Sequence, residues 1–225
     1  MKFKYFTHNW LIKGILDREV HRMIGAYASG SMLDIGCGDR PYYSCAIKYV
    51  DSYTGADYSG TPHLNEHIDI FCDAYEIPMR DESFDCILCT EVLEHLEEPS
   101  VAIQEAYRLL RKEGYALYTV PFSWPIHEDP RDFYRYTKYG LEHLFKKNGF
   151  EVVEINALDG FAVKTIQPIV YVMQRLRKGG RINPLWWIVP IVGSLMQALA
   201  LYANNHRKNK DSPNTDHYSI IARKL

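Results

Sequence analysis

The amino-acid sequence predicts an α/β sandwich, a largely parallel sheet covered by helices on both faces. Two observations carry this expectation. Short apolar runs rich in β-branched and aromatic residues alternate with segments whose apolar positions recur at helical spacing. The first strong run, MLDI (32–35), leads into a Gly-x-Gly turn, Gly36–Cys37–Gly38. In a doubly wound sheet, such a strand end opens on the crevice where ligands bind.

Each element has its own signal. Residues 9–28 read as a helix carrying Leu11, Ile12, Ile15, Leu16, Val20, Met23 and Ile24. After MLDI, YTGAD (53–57) and IDIFC (68–72) are short extended segments. FDCILC (84–89), YALYTV (115–120) and FEVVEI (150–155) are stronger strands. Ile103, Ala106, Tyr107 and Leu110 fall at i, i+3, i+4 and i+7 on one helix face, and Gly114 is expected to close that helix. Thr137 is the expected cap of the next helix, with Leu141, Leu144 and Phe145 inward and Gly149 at its end.

Composition narrows the function. The chain has 225 residues, 47% of them hydrophobic, enough for a sizeable core. A formal charge of −2 gives no general attraction to nucleic acid, which is not expected as a partner. The first 20 residues hold no sustained apolar run, so no secretory signal is expected. Cys86 and Cys89 form Cys-x-x-Cys inside a strand, where side chains three apart point to opposite faces. No second pair follows at zinc-site spacing, so the five cysteines read as free thiols and the chain as cytoplasmic.

The glycine turn excludes the commoner nucleotides. A dinucleotide fingerprint needs a third glycine where this chain has Pro41, and no Gly-Lys-Ser/Thr follows to make a P-loop. Asp34, two residues before Gly36, would repel a pyrophosphate and suit a cationic group. The better ligand is a nucleoside bearing an amine and a sulfonium. Asp57 ends the second strand, where an acid can accept from ribose hydroxyls, and Asp73 ends the third, where one can accept from an adenine amine. Each acid alone is as well explained as a turn cap. Three in succession beside one glycine turn make a pattern.

The stretches LDIGCGDRPY, YTGADYS, CDAYEIP, SFDCILCTEVLEHLEEP and LLRKEGYALYTVPF, in that order over about residues 30–156, resemble class I S-adenosylmethionine-dependent methyltransferases of the type 11 small-molecule group. The resemblance implies a Rossmann-like, doubly wound, three-layer sandwich of seven strands, the last being antiparallel HYSIIARK (217–224). It implies a helical cap at 1–29, a cofactor domain at 30–156 and 217–225, and an insertion at 157–216. S-adenosylmethionine is the implied cofactor. Asp34, Gly36, Cys37 and Gly38 would face its methionine end, Asp57 with the adjacent Tyr58 its ribose, and Asp73 with the Ala74 backbone its adenine. Thr90 and Glu91 would line the pocket floor, and His95 the space next to the reacting methyl.

Methyltransferases of this class that modify nucleobases or protein amides carry Asn/Asp-Pro-Pro-aromatic after the fourth strand. Here TEVLEH (90–95) stands there, which disfavours those acceptors. The segment PFSWPIHEDPRDFYRYT (121–137) is long for a plain connection and reads as an active-site lid. His127 is the candidate base, because imidazole titrates near neutrality, and Asp132 its catalytic partner. Arg135 and Tyr134 are candidate acceptor contacts, Arg135 for an anionic group. The alternative is that this cluster only staples the lid. Similar loops occur in relatives resembling glycan-biosynthesis methyltransferases, which implies a small-molecule or glycan-type acceptor methylated on oxygen. A lipid or quinone acceptor, and a non-catalytic cofactor-binding protein, are the alternatives. Glu91, Glu94 and His95 recur in this fold with and without a metal, and none is expected here.

The insertion is the outlier. Residues 185–203, LWWIVPIVGSLMQALALYA, form a nearly uncharged stretch preceded by Arg175, Arg177, Lys178 and Arg181. Pro190, Gly193, Ser194 and Gln197, and the need to return for the last strand, argue against a bilayer span. Two readings stay open: helices that cap the fold or pair two copies, and peripheral contact with a membrane.

Overall fold

The structure is a computed structural model that describes residues 7–60, 65–177, 180–206 and 213–225. Its sheet has seven strands: β1 (Ser31–Ile35), β2 (Ser52–Asp57), β3 (Ile70–Phe71), β4 (Phe84–Thr90), β5 (Leu110–Pro121), β6 (Phe150–Ala157) and β7 (His217–Lys224). They lie in the order β3-β2-β1-β4-β5-β7-β6. β1 pairs in parallel with β2 and with β4, and the β2–β3 and β4–β5 pairs are also parallel. The sheet is mixed, its last strands in chain order running antiparallel. Chain order reverses between β1 and β4, so the crevice of this fold lies beyond Ile35 and Thr90.

The helices are α1 (Trp10–Tyr27), α2 (Tyr43–Ala46), α3 (Pro99–Leu109), α4 (Lys138–Lys147), α5 (Phe161–Arg175) and α6 (Leu185–Asn205). The chain divides into two compact units, Met1–Arg18 with Ala157–His217, and Glu19–Asn156 with Tyr218–Leu225. In the larger unit, Val20, Met23 and Ile24 of α1 pack on Met32 of β1, Cys86 and Leu88 of β4, Leu117 of β5 and Ile221 of β7. Truncating Met23 or Ile24, both fully buried, would cost about 2–5 kcal/mol through the cavity left behind. In the smaller unit, Gln167 on α5 donates to His8 O at 2.7 Å, and Gln197 on α6 accepts from Leu11 N at 3.3 Å.

Most local signals act as read. Thr137 caps α4, its hydroxyl accepting from Gly140 N at 3.1 Å, and Gly149 sits past that helix at φ +91°. All five cysteines are free. Two readings need correction. The third strand covers only Ile70–Phe71, and Asp69 just before it gives its carboxylate to Gly55 N at 2.8 Å and to Arg40. Gly114 does not close the helix before it. α3 ends at Leu109, Leu110 already pairs with Phe84, and the register slips before Cys86 meets Tyr115. The positive φ of that bulge falls on Glu113 (+65°). Gly114 is needed for space, since a Cβ there would lie 2.9 Å from the carbonyl oxygens of Arg111 and Asp85.

Candidate cofactor and acceptor site

The glycine turn is built by the end of β2. Gly36 N and Cys37 N both donate to Ala56 O, at 2.8 and 3.1 Å, which bends the chain sharply off β1. Gly36 takes φ +70° and Gly38 φ +48°, in the left-handed region. A Cβ on Gly36 would sit 2.3 Å from Val92 Cγ2, so the strand-four turn closes directly on the glycine turn. Asp57 joins the two sides. One carboxylate oxygen accepts from Gly38 N and the other from Tyr58 N, both at 2.8 Å. Cys72 N donates to Asp57 O at 3.0 Å, so the third strand end is tied to the second.

Asp34 is 2% exposed and accepts from the Tyr53 hydroxyl. Burial, reinforced by the Asp57 charge, pushes its carboxyl up to about 7 against the opposing effects of Tyr53 and Arg40. The Cys37 thiol is pushed up to about 12, chiefly by burial, and takes no part in chemistry at neutral pH. Arg40, at φ +51°, lies 5.4 Å over the Tyr53 ring. Gly55 makes room for it, because a Cβ there would meet Arg40 Nε and Cys37 Sγ at 2.8 Å. Asp73 is exposed and caps its own turn through Tyr75 N at 3.2 Å, with Ala74 half-buried beside it. Asp73 also lines a cleft of about 660 Å³ with Ile77, Met79 and the Glu105–Arg108 pair; no glycine-turn residue borders it.

On the other side, Thr90 ends β4 opposite Thr119, and Glu91 N donates to Thr119 O at 3.0 Å. Glu91 holds φ +53° and Glu128 φ +55°, so two strained residues flank this site. Glu94 is fully buried, and neither carboxyl oxygen has a hydrogen-bond partner among the described residues. Burial and the neighbouring Glu91 hold it well above the usual carboxylate range. His95 Nε2 lies 3.7 Å and His127 Nε2 4.0 Å from Glu94 Oε1, and the imidazole centroids are 4.8 Å apart.

The lid is latched over this cluster. Phe133 N and Tyr134 N donate to Glu94 O at 2.9 and 3.2 Å, and the Tyr136 hydroxyl donates to Leu93 O at 2.8 Å. Tyr134, half-exposed, donates to Glu97 O at 2.9 Å. His95 Nδ1 meets Arg131 O, and the Arg131 guanidinium lies 4.9 Å over the Tyr58 ring. The lid thus bridges the ends of β4 and β2. Asp132 accepts from His127 N at 2.9 Å, with His127 Nδ1 at 3.4 Å from the same oxygen. Arg135 donates to both Asp132 oxygens, at 2.6 and 2.7 Å, and holds that carboxyl well below the usual range. Its remaining donors go to Trp124 O, Pro125 O and Tyr134 O. Arg135 is therefore committed inside the loop, as in the staple reading.

Three side chains together offer ligand atoms for a cation: Glu94, His95 and His127, all within 4.8 Å of one another. His127 stands where sequence spacing suggested Glu91. Arg40, Gly55 and Val92 shape the glycine turn and were not singled out from the sequence. Only Gly55, a glycine inside a strand, carried a signal for it.

The residues fit S-adenosylmethionine. The left-handed Gly36–Gly38 turn brings bare backbone to the end of β1, which suits close approach of a ligand, and a buried carboxyl at Asp34 suits its cationic amine or sulfonium. Residues 33–118 match the family model described as a methyltransferase domain, Methyltransf_11. An uncharacterized 37.1 kDa protein in a transposon of Streptomyces fradiae is 29% identical over 110 residues, 45% of this chain and 31% of that protein. A ubiquinone biosynthesis O-methyltransferase of Nitrosomonas europaea is 24% identical over 170 residues, 64% of this chain and 68% of that one. The chain therefore spans about a third of the first of these relatives and about two thirds of the second.

Among solved structures, a SAM-dependent methyltransferase from Archaeoglobus fulgidus superposes with a TM-score of 0.59 at 18% identity, covering 97% of this chain and 95% of that one. A Haemonchus contortus phosphoethanolamine N-methyltransferase in complex with S-adenosyl-L-methionine superposes with a TM-score of 0.58 at 17% identity, over 96% and 56%. The chain has the class I S-adenosylmethionine-dependent methyltransferase fold, and its residues 33–118 are similar to the Methyltransf_11 methyltransferase domain.

Proposed function

We propose that this protein transfers the methyl group of S-adenosylmethionine to an oxygen of a small-molecule or glycan-type acceptor. The observation that carries the choice of oxygen is the His127–Asp132 pair within the lid, 3.4 Å apart, with Nε2 turned toward the Glu94–His95 cluster. When bound, the cofactor supplies a methyl on a sulfonium, a leaving group that needs no acid. The chain's work is to position, to exclude water and to take the acceptor's proton. Asp34, the Gly36–Gly38 turn, Asp57, Tyr58, Asp73, Ala74, Thr90 and Glu91 form the proposed cofactor cradle. The Tyr58–Arg131 stack and the Tyr136–Leu93 bond close the lid over it. His127 Nε2 receives the hydroxyl proton as the acceptor oxygen attacks, and Asp132 keeps Nδ1 protonated and the ring oriented. His95 and Tyr134 border the acceptor space. Arg135 acts through Asp132 as a positioning residue.

A lipid or quinone acceptor is the second reading. It is favoured by the relatives named as ubiquinone biosynthesis O-methyltransferases and by the apolar helices of the smaller unit. Calorimetric titration with S-adenosylhomocysteine tests the cofactor assignment. Wild type is expected to bind at micromolar concentration and Asp57→Ala to lose at least tenfold in affinity, because both the ribose acceptor and the bond to Gly38 N go. Folded wild type that does not bind would refute it. Turnover on hydroxyl-bearing sugars against quinols then separates the two acceptor readings.

A further inference from the structure

Helix α6 has two unlike faces. Val189, Gly193, Gln197 and Ala200 are buried, and a Cβ on Gly193 would lie 3.4 Å from Val170 of α5. On the opposite side Trp187, Ile191, Leu195 and Leu199 are between 55% and 67% exposed. α5 repeats the arrangement: Val163, Gln167 and Val170 are inside, while Val172 and Leu176 are more than half exposed. Soluble proteins do not usually leave so much contiguous apolar surface to water.

The charge around this surface has one sign. Between Asp159 and Asp211 the sequence carries no acidic residue and eight basic ones, although the whole chain nets −2. Four of them, Arg175, Arg177, Lys178 and Arg181, precede α6, and Arg207, Lys208 and Lys210 follow it. The Arg177 guanidinium lies 4.3 Å over the Trp186 ring, pairing the two residue types that favour a headgroup layer. An apolar helix face preceded and followed in sequence by basic residues complements an anionic lipid surface.

α6 is long and apolar enough to cross a bilayer. A single crossing is excluded by topology, because β6 before the hairpin and β7 after it are adjacent in one sheet. α5, with 15 residues including Lys164 and Arg175, is too short to serve as a returning span.

We propose that the α5–α6 hairpin is a peripheral membrane anchor. It lies in the headgroup plane of an anionic bilayer, with the Trp187–Ile191–Leu195–Leu199 face in the acyl boundary and the flanking arginines and lysines on lipid phosphates. The anchor does not depend on which acceptor is methylated. Vesicle flotation of the full chain tests it, with phosphatidylcholine vesicles compared against vesicles that also contain phosphatidylglycerol.

The expected result is binding about tenfold or more tighter to the anionic vesicles, weakened by salt. Leu195→Glu/Leu199→Glu is expected to abolish it, and Arg175→Glu to weaken it several-fold. All three side chains are exposed, and S-adenosylhomocysteine titration of the same preparations reports whether each variant is folded. Equal binding to both vesicle types, or none, overturns the proposal. So does a wild-type dimer in light scattering that Leu195→Glu/Leu199→Glu splits, since the face would then pair two copies. Resistance of bound protein to alkaline extraction overturns the in-plane geometry. Loss of cofactor binding in wild type would refute the methyltransferase reading and leave the vesicle result standing.

Discussion

Asp34→Asn should make the protein more stable and a worse binder of cofactor, and both effects should follow pH. In the fold its carboxyl titrates at about 7 instead of 3.8, because it is buried and faces the Asp57 charge. The sign follows from proton uptake. Between these values the native state holds a proton that the unfolded chain has released, so stability falls as pH rises from about 4 and levels off above about 7. At about 1.4 kcal/mol per pKa unit, the ionised carboxylate costs at most about 4 kcal/mol. Relaxation and water penetration reduce that to about 2 kcal/mol. Asparagine keeps the shape and the bond from Tyr53 but cannot ionise. Urea denaturation near pH 8.5 should therefore show Asp34→Asn more stable by about 2 kcal/mol, with little difference near pH 4. Cofactor affinity should move the other way, because a cationic amine rewards the ionised form. The variant should bind S-adenosylhomocysteine about tenfold more weakly near pH 8.5, with the gap closing near pH 5.5. Identical urea midpoints for variant and wild type at both pH values would refute the electrostatic account of Asp34.

Three further predictions concern the acceptor side. His127→Ala should lower kcat by about 100-fold or more while cofactor affinity stays unchanged, and Asp132→Asn should lower kcat less and shift its pH profile. Undiminished turnover in both would remove the base assignment and leave the loop cluster as a staple. Glu94→Gln should fold with a stability change of less than about 1 kcal/mol, since a buried carboxyl held in its neutral form resembles an amide. Wild-type turnover should survive a chelator. Loss of activity on chelation, restored by zinc or magnesium, would instead assign Glu94, His95 and His127 as cation ligands.

The parts of the fold that were legible were those written in local pattern. The β4 run and the Thr137 cap declare themselves through a short apolar, β-branched stretch and capping chemistry, and both stand in the structure. What was missed depends on neighbours that only the fold supplies. Gly114 looked like a helix stop because glycine commonly is one, yet its reason is the Asp85 carbonyl across the sheet. IDIFC looked like a strand of five, but Asp69 is drawn off by Arg40 and Gly55, residues 14 or more positions earlier. The acids near the glycine turn could be aligned from spacing because each lies at or near the carboxyl end of a strand. The bond from Gly38 N to Asp57 shows how directly those ends touch. Arg135 misled in the opposite way. Its i,i+3 partner Asp132 is visible in the sequence, but the carbonyls of Trp124 and Pro125 that take its other donors are not.

Four of the site's acids fall into two kinds, and the division bears on mechanism. Asp57 and Asp132 are satisfied by the protein itself, the first by two backbone N–H groups and the second by Arg135. Their geometry is set before any ligand arrives. Asp34 and Glu94 are buried without a comparable donor set, and both carboxyls are held high. Each would be relieved by a nearby positive charge, and methyl transfer brings two. In the proposed function, one is the cationic cofactor that Asp34 would face. The other is the imidazolium that would form as His127 Nε2, 4.0 Å from Glu94 Oε1, takes the acceptor's proton. A carboxyl placed beside an imidazolium that forms only in the reaction interacts more favourably with the transition state than with the ground state. On this argument Glu94 contributes to kcat without touching the acceptor.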